Sequence, residues 1–308
     1  MKIAIVGAGG VGGYFGARLA AAGEDVRFVV RPGTKAALLA RGLVVESTVT
    51  PVRLASVRAS SDPAEVGPAD VVLFTVKLPD AADAAALVAP LLGPDTVAIP
   101  FQNGVEAAQI LARAVPARQV AAGVAYIASS QREPGVVVHG GPFARLRFGA
   151  LAPGQRPVLE AFEAACRRAD IDAECVADVR LALWEKFVFL VGLSAMTALT
   201  RRPIGVIRAE PVMRATLREV IRETCEVGRA EGVALPADFV DERMRFVDTL
   251  PETMKASMLH DLEAGRRLEL EWLSGAVVRL AGRHGIATPV NRTVVAGLAP
   301  WAGGAGGA

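Results

Sequence analysis

At 308 residues, 52% of them hydrophobic and 21% charged, the chain is long enough for two cores and reads as globular and soluble. A net charge of +2, spread without a basic block and with Trp and Tyr scarce, excludes the pattern that follows nucleic acid. No apolar run resembles a membrane span: the nearest, Phe187 to Leu199, is short and flanked by Lys186 and the Arg201-Arg202 pair.

The first thirty-one residues carry the clearest pattern. An apolar run, Ile3 to Val6, leads into Gly7-Ala8-Gly9-Gly10-Val11-Gly12, then a helical spacing of Tyr14, Leu19 and Ala22, then Gly23 and a second apolar run, Val26 to Val30. That is strand, tight turn, helix, strand. In a dinucleotide site the three glycines have separate tasks: Gly7 turns the chain, Gly9 lets backbone approach a pyrophosphate, and Gly12 lets helix and sheet pack closely. The motif alone says little, and its position between strand and helix makes it specific. An NAD site places Asp or Glu about 20 residues further on to hold the ribose hydroxyls. Here Arg31 stands there, followed by Thr34 and Lys35, which suits a 2′-phosphate; the expected cofactor is NADP (NADPH).

Lys35 to Arg41 reads as a short helix, and Leu43 to Glu46 and Val52 to Val57 as strands. Ala69 to Val76 is an apolar strand ending at Lys77, and in open α/β sheets ligands bind outside such strand ends. An alanine-rich helix, Ala81 to Leu92, returns the chain to a strand, Thr96 to Pro100, which ends in Phe101-Gln102-Asn103-Gly104. Asn103 either hydrogen-bonds a small substrate or is a turn residue that tolerates left-handed backbone. A helix over Val105 to Ala114 follows, then strands at Val120 to Ala128, Val136 to Gly140 and Arg145 to Phe148, a helix at Pro157 to Ala169 and a strand at Ala173 to Val176.

Beyond Asp178 the pattern is helical almost throughout, which divides the chain into an α/β domain, 1–177, and an all-helical domain, 178–308. Asp178 suits the N-cap of a helix through Leu199. Lys186 shares a face of it with Leu190 and Ser194, so a lysine heads a largely apolar stripe. Such an ammonium either reaches water or is kept for proton transfer with a lowered pKa. Pro203-Ile204-Gly205 reads as a loop, Pro211 to Glu231 as a helix, and Pro236 begins another. Pro251 to Arg283 reads as one helix, on which Ser257 and Glu269 point about 120° apart. Glu271 is an equal candidate to Glu269 on pattern alone. Gly285 to Asn291 leads a last short helix, and the Gly/Ala tail from Gly303 reads as disordered.

Cys166, Cys175 and Cys225 have no metal-type spacing and read as small apolar residues in a reducing compartment; with no targeting segment, the cytoplasm is expected. His139, His260 and His284 are too scattered for a metal site, and no metal is expected.

Together the GAGGVGGYFGARL segment, Arg31, TVK ending at Lys77, QNG at 102 to 104, WEK ending at Lys186, Ser257-Met258 with Asp261, Glu269 and GIATPVN at 285 to 291 resemble the ketopantoate reductase family. The resemblance spans nearly the whole chain. It implies an N-terminal Rossmann domain, a helical C-terminal domain, and NADPH-dependent reduction of a 2-oxo acid in pantothenate synthesis. It implies Lys186 as catalytic acid and Glu269 as substrate-binding carboxylate, chosen over Glu271 by its offset from Ser257. Ser257 and Asn103 match substrate or ribose contacts, and Lys77 a residue beside the nicotinamide. The family pattern has asparagines where this chain has Leu190 and Ser194, which points to altered specificity for the 2-oxo acid. The alternatives are a more apolar 2-oxo acid or an NADP-binding protein without catalysis. A homodimer is compatible with the long helices, as is their own core; neither nucleic acid nor membrane is an expected partner.

Overall fold

The segment Lys2–Val6 alternates its side chains between two apolar layers, Ile3 and Ile5 in one and Ala4 and Val6 in the other, all buried. A strand covered on both faces belongs inside a parallel sheet. The structure, a computed structural model, describes residues 1–305 and divides into two compact units, Met1–Val179 and Arg180–Ala308.

The strands of the first unit are β1 (Lys2–Val6), β2 (Asp25–Val29), β3 (Leu43–Ser47), β4 (Val52–Leu54), β5 (Arg58–Ser60), β6 (Ala69–Phe74), β7 (Leu92–Pro100), β8 (Ala122–Glu133), β9 (Val136–Gly149) and β10 (Asp172–Cys175). One sheet, in the order β5-β2-β1-β6-β7, is parallel throughout. Its order reverses direction at β1, the position at which such sheets bind ligands. The second sheet is mixed, β10-β9-β3-β4, with β8 antiparallel to β9. The helix Gly10–Ala21 connects β1 to β2. Its buried Arg18 donates to the carbonyls of Ala169 and Asp170, each at 2.8 Å, which ties it to the end of the helix Arg156–Arg168.

The second unit is helical. Its longest helix, Val179–Thr200, matches the helix expected from Asp178 through Leu199; its 22 residues as a whole are apolar enough to cross a membrane by length and composition, although the apolar run Phe187 to Leu199 alone is too short. It is a core helix instead: Trp184, Phe187, Val188, Val191 and Ala195 are buried, and Gly192 lies against Leu217 and Ile221 of the helix Pro211–Ala230. The buried carboxyl group of Glu223 accepts from the Val290 N–H at 2.8 Å, the Asn291 N–H at 2.9 Å and the Asn291 side-chain amide at 2.7 Å. It thus serves the first turn of the helix Pro289–Leu298, whose free N–H groups need a partner. That accounts structurally for much of the Thr288-Pro289-Val290-Asn291 signature.

Several expected elements are corrected. Pro251 to Arg283 is not one helix but Ser257–Glu263, the short 3₁₀ turn Leu270–Trp272 and Ser274–Arg283. The chain turns at Gly265, in the left-handed region at φ 62°, where the Arg266 N–H returns to the Asp261 carbonyl. The straight-helix angle between Ser257 and Glu269 therefore does not apply. Residues 204 and 205 are helical, within Ile204–Ala209, because Pro203 takes the N-cap, where a ring costs the helix nothing. The alanine-rich return is one α-turn, Ala81–Ala84, followed by 3₁₀ helix with Pro90 inside it, and the Val105 to Ala114 helix shrinks to Ala107–Leu111. The strands expected at Val136 to Gly140 and Arg145 to Phe148 are one, β9. In the tail, Ala305 donates to the Gly265 carbonyl at 2.8 Å, so 303–305 are held; 306–308 lie outside the described residues.

Candidate active site

In the first unit the pairing register brings the strand ends level. Gly7 N–H donates to Val29 O at 3.0 Å, Thr75 N–H to Val6 O at 2.9 Å, and Phe101 N–H to Phe74 O at 3.0 Å. The glycine turn after β1, Arg31 after β2, Lys77 after β6 and Asn103 after β7 therefore share one edge of the sheet. Gly7 adopts φ 98°, a conformation that a side chain would strain. At Gly12 an added Cβ would lie 2.1 Å from Gly7 O and 2.3 Å from Thr75 Oγ1, so helix and sheet touch there through glycine alone. At Gly9, by contrast, a Cβ would meet no protein atom within 4 Å. Gly9 is also the N-cap of Gly10–Ala21, which has no side-chain cap and no acidic residue in its first turn. An open approach, unscreened N–H groups and a close-packed Gly12 fit a pyrophosphate; Ala8, Gly10 and Val11 complete the turn.

Arg31 is 80% exposed and paired with Asp80 at 2.7 Å, while Lys35 lies 3.7 Å from Glu65. Exposed pairs of this kind contribute little, so the guanidinium is available to a dianionic phosphate. Asn103 is not among the residues with positive φ; Gly104, at 87°, takes that conformation. Asn103 is therefore not there to supply left-handed backbone. Lys77 is exposed at the end of its strand.

In the second unit, Lys186 is half-buried, and removal from water lowers its pKa from 10.5 to about 8, with the charge of Glu269 acting in the opposite direction. Glu269 thus lies within electrostatic reach of Lys186, half-buried, whereas Glu271 is exposed. Geometry supplies the distinction that sequence pattern lacked. On the lysine's own helix Leu190 is half-buried, and Ser194 is fully buried with no hydrogen-bond partner for its hydroxyl. Ser257 is exposed, the first residue of its helix, and Asp261 binds Arg266 at 2.6 Å.

Three residues at this edge of the sheet were given no role by the sequence reading. Thr75 Oγ1 donates to Gly7 O at 2.7 Å and Val6 O at 3.1 Å, and so fixes the turn from the neighbouring strand. Gln131 donates to Ala8 O at 3.2 Å from the second sheet. Gln102 is buried beside Asn103. Thr75 stands in the TVK segment but nothing in the sequence shows its partner, and no sequence signal marks Gln131, since these partners lie far away in the chain. Among the described residues no group of three or more potential metal ligands occurs. The three cysteines are free; burial pushes Cys225 up to about 12 and raises Cys166 and Cys175 as well, which leaves them poor nucleophiles.

Comparison with known proteins identifies the family. The family model described as Ketopantoate reductase PanE/ApbA matches residues 3–153, and that described as Ketopantoate reductase PanE/ApbA C terminal matches 178–300. An uncharacterized oxidoreductase of Bacillus subtilis, YkpB, is 33% identical over 298 residues, covering 97% of this chain and 98% of its own. A 2-dehydropantoate 2-reductase of Halobacterium salinarum is 32% identical over 298 residues, covering 96% of each. The crystal structure of a PanE/ApbA family ketopantoate reductase from Ralstonia eutropha JMP134 superposes with a TM-score of 0.87 at 36% identity, covering 98% of both chains. The parallel-sheet unit, the helical unit and these matches over nearly the full length place the chain in one group: it belongs to the ketopantoate reductase family of oxidoreductases.

Proposed function

We propose that the chain reduces a 2-oxo acid to the 2-hydroxy acid with NADPH, the substrate being 2-dehydropantoate and the product pantoate of pantothenate biosynthesis. The observation that carries this reading is Lys186, whose pKa of about 8 beside Glu269 suits a proton donor working near neutrality. The bound dinucleotide supplies hydride to the carbonyl carbon. Lys186 Nζ delivers a proton to the carbonyl oxygen as negative charge grows there. Glu269 keeps the ammonium charged and receives hydrogen bonds from the substrate, with Ser257, Asn103 and the buried Ser194 hydroxyl as further polar partners and Lys77 at the nucleotide edge. Gly7 to Gly12 receive the pyrophosphate.

The test is loss of NADPH absorbance with the full chain and 2-dehydropantoate, run beside a panel of 2-oxo acids with larger apolar side chains. Turnover of 2-dehydropantoate is expected. Turnover confined to an apolar 2-oxo acid would keep the chemistry and replace the substrate; Leu190, where a hydrogen-bonding amide would read a substrate hydroxyl, favours that second reading. NADPH binding without any turnover would overturn both.

The preference for NADP over NAD rests on Arg31. Arg31→Ala should weaken NADPH binding about 10- to 100-fold, the loss of a charge-assisted hydrogen bond, and leave NADH nearly unchanged. Titration calorimetry with both cofactors reads this directly, and equal losses would remove Arg31 from the site. The reading also includes a cytoplasmic enzyme, with a second copy of this chain as its protein partner.

A further inference from the structure

The first unit buries three glutamine side chains, and two of them are hydrogen-bonded. Gln119, 6% exposed, donates to Gly93 O at 2.6 Å and Thr96 O at 3.3 Å. Gln155, 2% exposed, donates to Arg118 O and Val120 O, each at 2.9 Å, and accepts from the N–H groups of Leu151 and Ala152. Gln102 is 7% exposed, and neither its amide nitrogen nor its amide oxygen has a partner. A primary amide covered and unmatched at both ends is a costly arrangement in a native fold and calls for a reason.

Its place in the sheet supplies one. Gln102 follows Phe101, whose N–H is still bonded to Phe74 O, so it stands at the carboxyl end of β7, next to β6 and across the order reversal from β2. A dinucleotide in such a sheet lies over the strand ends at the reversal. With Arg31 at the end of β2 taking the adenosine half, as the proposed function has it, the nicotinamide half falls to the side of β6 and β7. A nicotinamide carboxamide offers one donor group and one acceptor, the complement of an unmatched glutamine. The reacting end of a 2-oxo acid offers acceptors only and would leave Oε1 unmatched.

We propose that Gln102 recognises the nicotinamide carboxamide of the cofactor, Nε2 donating to its oxygen and Oε1 accepting from its NH₂. The assignment rests on the dinucleotide reading above. The amide atoms are covered in this structure, so engagement takes a rotation about the side-chain torsions of Gln102, which has three.

The experiment measures dissociation constants of the full chain for three probes: NADP⁺, its 3-acetylpyridine analogue, which lacks the amide NH₂, and 2′-phospho-ADP-ribose, which lacks the ring. In Gln102→Met, NADP⁺ should bind about tenfold more weakly, the equivalent of two neutral hydrogen bonds, with 2′-phospho-ADP-ribose unchanged. The wild type should prefer NADP⁺ to the acetylpyridine analogue, and the variant should lose that preference. The melting temperature without ligand should not fall, because methionine removes two unmatched atoms. Equal weakening of NADP⁺ and 2′-phospho-ADP-ribose with a lowered melting temperature would make Gln102 structural and overturn the proposal. So would unchanged NADP⁺ binding with a raised KM for the oxo acid. The wild-type comparison of the two pyridine nucleotides requires no variant, and indifference to the carboxamide there would be equally decisive. Failure of the wild type to bind either NADP⁺ or 2′-phospho-ADP-ribose would instead strike the proposed function itself.

Discussion

Lys186→Met should lower kcat for 2-oxo acid reduction about 10²- to 10⁴-fold, the usual contribution of a positioned general acid, with NADPH affinity retained. In the wild type the donor must be protonated, so kcat should be flat at acid pH and fall as pH rises through about 8. Because the charge of Glu269 holds the ammonium on, Glu269→Gln should move that fall to lower pH. A pH profile that stays put in Glu269→Gln, or a Lys186→Met enzyme with near-normal turnover, would remove the pair from the chemistry.

The same lysine makes a separate demand on stability. Its pKa in the fold is about 8 against 10.5 in an unfolded chain. Below pH 8 it is charged in both states, and the fold bears the whole cost of keeping an ammonium from water. Between about 8 and 10.5 the unfolded chain binds more protons, so this contribution to stability rises with pH and the cost disappears above that range. The difference corresponds to about 3 kcal/mol at most. Lys186→Met should therefore melt no lower than wild type at pH 7, since lost attraction to Glu269 offsets only part of the gain. A clear drop would mean that Lys186 serves the fold, which is contrary to its assignment.

The second large effect is expected at the nucleotide turn, where two neighbouring glycines should respond in opposite ways. Gly12→Ala places a methyl group 2.1 Å from Gly7 O and 2.3 Å from Thr75 Oγ1, and one of those atoms is backbone. The helix Gly10–Ala21 must move off the sheet, at a cost of about 1–3 kcal/mol or more. Both melting temperature and NADPH binding should fall. Gly9→Ala meets no protein atom and has an ordinary φ of −77°, so its melting temperature should hold while its methyl group fills the approach to the pyrophosphate. Loss of NADPH affinity of at least tenfold without loss of stability in Gly9→Ala, measured by calorimetry and thermal denaturation, would identify that space as the phosphate site. Normal affinity would exclude it.

The strand–glycine turn–helix edge, to which nucleotide binding is assigned under the proposed function, was legible in the sequence because its determinants are local. A strand, a glycine turn and an amphipathic helix follow one another within thirty residues, and each glycine meets a steric condition set by its close neighbours. Ser257 and Glu269 were different. Apolar spacing from Met258 to Leu280 keeps a helical period across a chain reversal, and only Gly265 hinted at the turn that separates them. Residue pattern alone left Glu269 and Glu271 equal; the resemblance picked Glu269 by its offset from Ser257, and the charge of Glu269 acting on Lys186 is a tertiary fact that pattern could not supply. The roles of Thr75 and Gln131 were invisible for the same reason, since each bonds a backbone atom of the glycine turn from at least 68 residues away. At the end of β7 the sequence drew attention to Asn103, while the unmatched amide is that of Gln102, and only an accounting of partners reveals it.

The Glu223 clamp has a consequence for synthesis. Its donors are 67 and 68 positions further along the chain, so while a ribosome is making the stretch between, this carboxyl group has no donors from that helix and must remain in water. The helix Pro211–Ala230 cannot close around it until the Pro289–Leu298 segment has emerged. The first unit draws its sheets wholly from residues before 180 and has no such dependence. Assembly is thus ordered in time: the first unit can mature during translation, and the half bearing Lys186 waits until residues beyond Asn291 have emerged.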